Sequence, residues 1–255
     1  MRSFDEIFNE ERYILTEGSI LERLRREFKI DIDEHIASAS VIYNEEAAQK
    51  FGEIYKSYID IAVKENLPIM IMTSTRRANR ERIVKSVYKD KDVIRDNVAF
   101  LQSIRENYGE KQAKIFIGGI LGCKGDAYNP NNTLEIDEAQ AYHSWQVSKF
   151  KEAGVDYLFA CIMPALKEAI GMAKAMEASG LPYIMSFIIS KNGCLLDGTS
   201  IHDAIENIDN AIKRKPLAYM SNCVHPKVVY EALGQKENQT NLRYSVVVVE
   251  LMKNI

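Results

Sequence analysis

No apolar run in this chain approaches the roughly 18 residues that a membrane-spanning helix needs, so no membrane partner is expected. An excess of charge is also missing. Lys and Arg number 33 against 36 Asp and Glu, giving a formal net charge of -3. The two signs are mixed along the chain without a basic patch, which argues against nucleic acid as a partner. Cysteine is scarce: Cys123, Cys161, Cys194 and Cys223 are widely spaced and form no CxxC pair. That spacing excludes a dense disulfide framework and fits reduced core or site residues. Met1 to Arg12 is charged and polar, unlike a secretory signal, so a cytoplasmic location is the expectation. No Walker or dinucleotide pattern surrounds Gly118-Gly119 and Gly122, which leaves close backbone packing as their reading. With no low-complexity linker to divide it, the chain reads as one domain over residues 1–255.

What is present is an ordinary globular composition, 46% hydrophobic and 27% charged over 255 residues, enough to bury a large core. Short apolar runs alternate with helical periods. Tyr13 to Thr16 breaks at Gly18 and leads into a helix around Leu21 to Arg26. Glu45 to Lys64 places Phe51, Ile54, Tyr55 and Tyr58 on one helical face. Apolar runs recur at Ile69 to Met72, Ile115 to Ile117, Tyr157 to Met163, Tyr183 to Ile189 and Leu217 to Met220. They are continuous rather than alternating, which predicts strands buried on both faces of a parallel sheet. Helices are expected between them over Asn79 to Tyr108, Asp137 to Ala153, Ala165 to Ala178 and Ser200 to Lys213. Six such units fit either an α/β barrel or a doubly wound open sheet.

In a parallel barrel, chemistry gathers just past the C-terminal ends of the strands. Those positions hold Glu17-Gly18, Thr73-Ser74-Thr75, Gly118 to Cys123, Glu168, Ser186-Phe187 and Asn222-Cys223. Two carboxylates, several hydroxyls and a thiol would share the rim. Each has a plainer reading beside the functional one. Cys223 on its own is a small buried hydrophobe. Glu17 is a cap for the helix that follows, and Glu168 an acidic residue in a first helical turn. His225, just before Pro226, is a loop histidine, while His143 and Trp145 are packing residues within a helix.

An ordered set of segments adds a resemblance. Gly118-Gly119-Ile120-Leu121-Gly122 with Asp126-Ala127-Tyr128, then Ala141-Tyr142-His143-Ser144-Trp145-Gln146, is similar to the homocysteine S-methyltransferase family. Ala153-Gly154-Val155-Asp156, Pro164-Ala165-Leu166-Lys167-Glu168-Ala169, Pro182 to Phe187, Leu196-Asp197-Gly198-Thr199 and Asn222-Cys223 continue it in order. The resemblance runs from about Ile14 to Leu233, and the tail after Gln235 does not resemble the family. It implies an α/β fold of the TIM-type (β/α)8 barrel class, here incomplete at its C-terminal end. It also implies zinc, held in the family by three cysteine thiolates and binding homocysteine through sulfur. A methyl donor such as S-methylmethionine or betaine then supplies the methyl group. The chemistry is reasonable: a free thiol is mostly protonated near neutral pH, and a metal makes it a thiolate.

Carried over by position, Cys223 matches the first zinc ligand and Glu168 the acidic contact to the homocysteine amino group. Glu17 beside Gly18 stands where the family more often has aspartate, and Thr73, Ser186 and Phe187 are weaker candidates for lining the site. The family's adjacent cysteine pair in a Gly-Gly-Cys-Cys motif has no counterpart, and no cysteine follows Cys223. A truncated or frameshifted C-terminus is therefore expected. Three functions follow: a zinc-dependent thiol methyltransferase, a silent barrel that binds a small amino-acid-like ligand or needs a partner subunit, and a metal-free enzyme using Glu17 and Glu168 as acid and base. A homo-oligomer is expected if the apolar run Val246 to Val249 makes a contact between copies.

Overall fold

The computed structural model describes residues 2–235. Six strands lie in one sheet in chain order: β1 (Leu15–Thr16), β2 (Ile69–Met72), β3 (Ile115–Gly122), β4 (Tyr157–Met163), β5 (Tyr183–Phe187) and β6 (Ala218–Ser221). The pairings β1–β2, β2–β3 and β5–β6 are parallel, with Met72 opposite Gly118 and Phe187 opposite Ser221. Helices α1 (Phe4–Glu10), α2 (Ile20–Glu27), α3 (Glu45–Lys64), α4 (Arg80–Lys85), α5 (Val93–Glu106), α6 (Ile136–Ala153), α7 (Leu166–Ser179), α8 (Ile201–Ala211) and α9 (Pro226–Leu233) accompany them. Strand and crossover helix alternate from β1 onward, so the fold is α/β, an incomplete TIM-type barrel with six strands among the described residues. β4 is buried at all seven positions and β5 at all five, as continuous apolar runs require in a sheet covered on both faces.

The packing divides into two compact units, the first from the described residues of Met1–Leu121 and Ser148–Leu158, the second from those of Gly122–Val147 and Phe159–Ile255. In the first, Gly118 and Gly119 are glycines because of close approach. A Cβ on Gly118 would lie 2.3 Å from Cζ of Tyr157, and one on Gly119 would lie 2.6 Å from Cγ of Phe150. In the second, Gly171 of α7 has the same role. A Cβ there would sit 2.3 Å from the Ile136 carbonyl oxygen and 2.4 Å from Cβ of Ala139, so α7 runs against α6 at backbone distance.

Several expectations need correction. The helix expected from Asn79 to Tyr108 is two, because Asn79 and Asp92 each cap a separate start. The Asn79 Oδ1 accepts from the Arg82 amide at 3.0 Å and the Asp92 Oδ1 from the Arg95 amide at 3.4 Å. β6 ends at Ser221, which leaves Asn222 and Cys223 just past the strand as expected, and Cys223 has φ 58°. α1 was not expected at all, yet Ser3-Phe4-Asp5-Glu6 carries a capping signature and the Ser3 amide donates to Glu6 Oε2 at 2.8 Å. α1 seats Phe4 on the Tyr157 ring, with centroids 4.3 Å apart. The run Val246 to Val249 lies outside the described residues. Among the described residues, no helix is long and apolar enough to cross a membrane.

Candidate functional site

In the first unit the ends of β1 and β2 are joined through Glu17. Its side chain is 6% exposed, and its Oε1 accepts from the Met72 amide at 2.9 Å. The Met72 carbonyl accepts in turn from the Tyr55 hydroxyl at 2.7 Å. Glu17 is therefore not the cap of α2. That place belongs to Ser19, whose Oγ accepts from the Glu22 amide at 3.3 Å. Burial pushes the Glu17 carboxyl from the usual 4.5 up to about 8, and the hydrogen bonds it accepts offset only part of that. The group is mostly protonated at neutral pH. Tyr55 and Tyr157, both buried, are held well above the ordinary phenol range by burial first and by the Glu17 charge second. Gly18 keeps the turn after Glu17 tight, since a Cβ there would meet Oη of Tyr58 at 2.7 Å.

Thr73 is buried and its hydroxyl is committed to structure. The Ile120 amide donates to Thr73 Oγ1 at 3.2 Å, the Thr75 Oγ1 donates to the Ile120 carbonyl at 3.1 Å, and the two hydroxyls are 2.8 Å apart. Because Thr75 gives its one proton to the carbonyl, the Thr73 hydroxyl must donate to Thr75. This ring of bonds ties the loop after β2 to β3.

In the second unit Glu168 is fully buried and both of its oxygens are engaged. Oε1 accepts from the Lys124 amide at 2.7 Å and faces His143 Nε2 at 3.0 Å, while Oε2 accepts from the Leu134 amide at 3.4 Å. His143, which sequence reasoning left as packing, is 1% exposed and turns out to be a polar partner. Asp197 was also missed as an individual residue. Its Oδ2 accepts from the Leu166 amide at 2.7 Å and caps α7 from the loop after β5. The signal was present in Leu196-Asp197-Gly198-Thr199, a turn-forming sequence just ahead of α8, whose own cap is Ser200.

The ends of β4, β5 and β6 bring Cys161, Ser186 and Asn222 together. The Ser186 hydroxyl donates to Asn222 Oδ1, which orients the amide so that Nδ2 donates to Cys161 Sγ at 3.7 Å. Phe187, buried beside Ser186, stacks on Tyr219 with centroids 5.8 Å apart. Ile162, next to Cys161, has φ 47°. For a β-branched residue that conformation is an outlier worth about 1–3 kcal/mol of strain. Cys223 is half-buried just beyond Asn222. His225 caps α9, its Nδ1 accepting from the Lys227 amide at 3.1 Å.

A three-thiolate zinc site does not fit these residues. All four cysteines and all four histidines of the sequence fall among the described residues. There, the grouping of three or more ligand atoms within 4.8 Å of one another is His202, Asp203 and Glu206 on α8. Cys223 belongs to no such grouping. The α8 group has two exposed carboxylates and no thiolate, a donor set unlike the soft one that a thiol-activating zinc requires.

A family model described as homocysteine S-methyltransferase matches residues 14–251. The match continues past Leu233, so the tail after Gln235, expected to resemble nothing in the family, lies largely within it. No curated protein matches the chain. Among solved structures, the metallated form of the homocysteine methyltransferase MmuM from Escherichia coli is similar with a TM-score of 0.73 at 18% identity, over 89% of this chain and 80% of that one. Its oxidized form gives 0.68 at 18% identity over 88% and 78%, and its apo form 0.63 at 19% over 88% and 77%. At such identities the likeness is one of fold.

Proposed function

We propose that this chain, which belongs to the homocysteine S-methyltransferase family, binds homocysteine or a closely related thiol amino acid and serves its methylation. The family match across residues 14–251 is the observation that carries this reading. In the reaction a C–S bond forms between the donor's methyl carbon and the thiolate sulfur. The bond from that carbon to the donor's sulfonium sulfur or quaternary nitrogen breaks, and its electron pair stays with the leaving group. S-methylmethionine would leave as methionine and betaine as dimethylglycine, with methionine the methylated product in both cases. The thiol proton is lost before the attack.

The residues present support parts of this. Glu17 and Gly18 offer a buried, mostly neutral carboxyl at a tight turn, able to donate as well as accept. Ser186 near the end of β5 and Asn222 and Cys223 past β6 provide polar and thiol groups, and Thr73 shapes the loop after β2. Action in the cytoplasm, where cysteines outside disulfides such as these four persist, is part of the same proposal. A second reading is favoured by one observation: the thiols do not converge into a ligand set. On that reading the chain binds the amino acid without turning it over, or needs a second subunit to complete the ligands.

The experiment supplies homocysteine with trideuteromethyl-labelled S-methylmethionine, and separately with labelled betaine, and follows label in methionine by mass spectrometry. Homocysteine affinity is measured by calorimetry alongside. Labelled methionine supports transfer. Binding without label supports the second reading, and absence of both overturns each of them.

A further inference from the structure

The hydroxyl of Tyr157 is fully buried in the first unit, and its Oη has no hydrogen-bond partner among the described residues. Folds rarely leave a buried hydroxyl in that state, because its lost hydration is not repaid. Packing fixes where it points. Tyr157 opens β4, and its ring stacks on Phe4 of α1 and crosses β3 at Gly118. A Cβ on Gly118 would meet Cζ of the ring at 2.3 Å and Oη at 2.6 Å, so the hydroxyl end is the end that rests there. Beyond β3 in the sheet comes β2, and Gly118 stands opposite Met72. The Met72 amide is the donor that holds Glu17 Oε1 at 2.9 Å. Adjacent strands lie about 4.8 Å apart, so hydroxyl and carboxyl flank Met72 at one level of the sheet. After burial itself, Glu17 is the first group to act on the Tyr157 hydroxyl, ahead of Asp156 on the neighbouring residue.

Glu17 lacks a close partner on its other oxygen. Because Oε1 accepts from Met72, the proton that burial keeps on this carboxyl belongs on Oε2. There the Thr16 hydroxyl lies 3.5 Å away, at the far limit of a hydrogen bond. We infer that one buried water bridges Tyr157 Oη and Glu17 Oε2, making Tyr157 a positioning residue for the Glu17 carboxyl. A water has the donors and acceptors for both states of the pair. It accepts from a protonated Oε2, and it donates to an ionised one while accepting from the phenol. Enclosed waters of this kind recur where buried polar groups have no protein partner, and a single one does not open the site to bulk solvent. The phenol's donation favours the ionised carboxyl, so Tyr157 holds the Glu17 titration lower than burial alone would. A ligand group able to accept would take the water's place on Oε2, so the carboxyl proton remains available to it. That last step rests on the reading above, in which a ligand meets Glu17; the bridge itself does not.

Tyr157→Phe tests the bridge on the full chain without any ligand, since it removes the hydroxyl and keeps the ring on Phe4 and Gly118. The other titratable groups around the pair are Tyr55 of α3 and Asp156, which Arg105 pairs at 2.7 Å, and the variant leaves all three in place. The Glu17 carboxyl is followed by carbon NMR on glutamate-labelled protein, its signal assigned by its loss in Glu17→Gln. In Y157F its midpoint should rise by about half a pH unit or more. In urea at pH 6 the unfolding constant of Y157F should be about three- to tenfold larger than that of the unaltered chain. A hydroxyl without a bridge gives the opposite sign, because its removal relieves an unpaid desolvation. An unmoved midpoint, or a variant as stable as the unaltered chain or more so, would overturn the bridge. A crystal structure should show the water within hydrogen-bond distance of both oxygens, and an empty position there would overturn it too. Homocysteine affinity followed against pH should carry the Glu17 midpoint and shift with it in Y157F; a profile that Y157F leaves in place would overturn the positioning role. If the unaltered chain binds no homocysteine, the functional reading fails, and the titration and stability still decide the bridge.

Discussion

Glu17 should make this protein less stable as pH rises through the neutral range, and the size of the effect follows from its burial. In the folded chain its carboxyl titrates at about 8, while in the unfolded chain it returns to the usual 4.5. Below the unfolded value both states carry the proton and the group costs nothing. Between the two values only the unfolded state ionises, so the folded state binds more protons and loses ground with each step up in pH. Above the folded value both are ionised and the whole cost is in place. One unit is worth about 1.4 kcal/mol, so the loss between roughly pH 5 and pH 7 comes to about 2.5 kcal/mol. For a chain of this size that is a fall in Tm of about 5–10 °C.

Glu17→Gln isolates the effect. The amide oxygen keeps the acceptor for the Met72 amide and removes the titration. Other groups also move with pH: burial raises the carboxyl of Asp156, while at Asp33 the upward push of burial is outweighed by hydrogen bonds from Ile36, His35 and Ser86, which together lower it. The quantity to measure is therefore the difference between the two proteins, from urea denaturation at several pH values. The unaltered chain should fall relative to E17Q by about 2.5 kcal/mol over that interval. Parallel curves would refute the reasoning, since they would mean that Glu17 is ionised in the fold at neutral pH and is reached by water or a cation.

Three further outcomes follow from the packing and the donor geometry. Gly171→Ala adds a methyl 2.3 Å from the Ile136 carbonyl, so it should cost about 2 kcal/mol in chemical denaturation despite alanine's better helix propensity. Gly118→Ala should be similarly destabilising through the rigid Tyr157 ring 2.3 Å away, and Tyr157→Val should recover part of that loss, giving a non-additive pair of about 1 kcal/mol or more. Purified protein dialysed with homocysteine and zinc should hold far less than one zinc per chain by elemental analysis, and chelation should leave its Tm unchanged. Near one zinc per chain, lost in Cys223→Ser, would mean that the described donors converge in solution after all.

Much of the fold was readable because its signals are local. Continuous runs such as Ile69 to Met72 and Tyr157 to Met163 cannot alternate, so they announce strands covered on both faces. β2, β4 and α3 have the bounds that their periodicity indicates. Errors fell where a polar side chain decides a boundary. Asp92 and Asn79 divide a helical stretch whose hydrophobic period gives no warning, because capping acts through one side chain and leaves the pattern of apolar positions intact.

The candidate site was legible as a set of residue types and illegible as a set of partners. Glu17 and Glu168 are both glutamates at places where a parallel barrel keeps its chemistry, and nothing in their immediate sequence separates them. What separates them is 44 residues away in one case and 55 in the other. Glu168 faces the Lys124 amide across a sequence separation of 44 and gains His143 because two small residues let helices touch. Glu17 reaches the Met72 amide across 55 and meets no cation among the groups that set its titration. The first ends as a buried carboxyl held by two backbone amides and faced by an imidazole, the second as a carboxyl that burial keeps mostly neutral. A buried glutamate's role in such a fold thus depends on how many donors the topology delivers to it. Two amides and an imidazole tie Glu168 to three segments, while Glu17, with the Met72 amide and the Thr16 hydroxyl, is left by burial with a proton to give to a ligand.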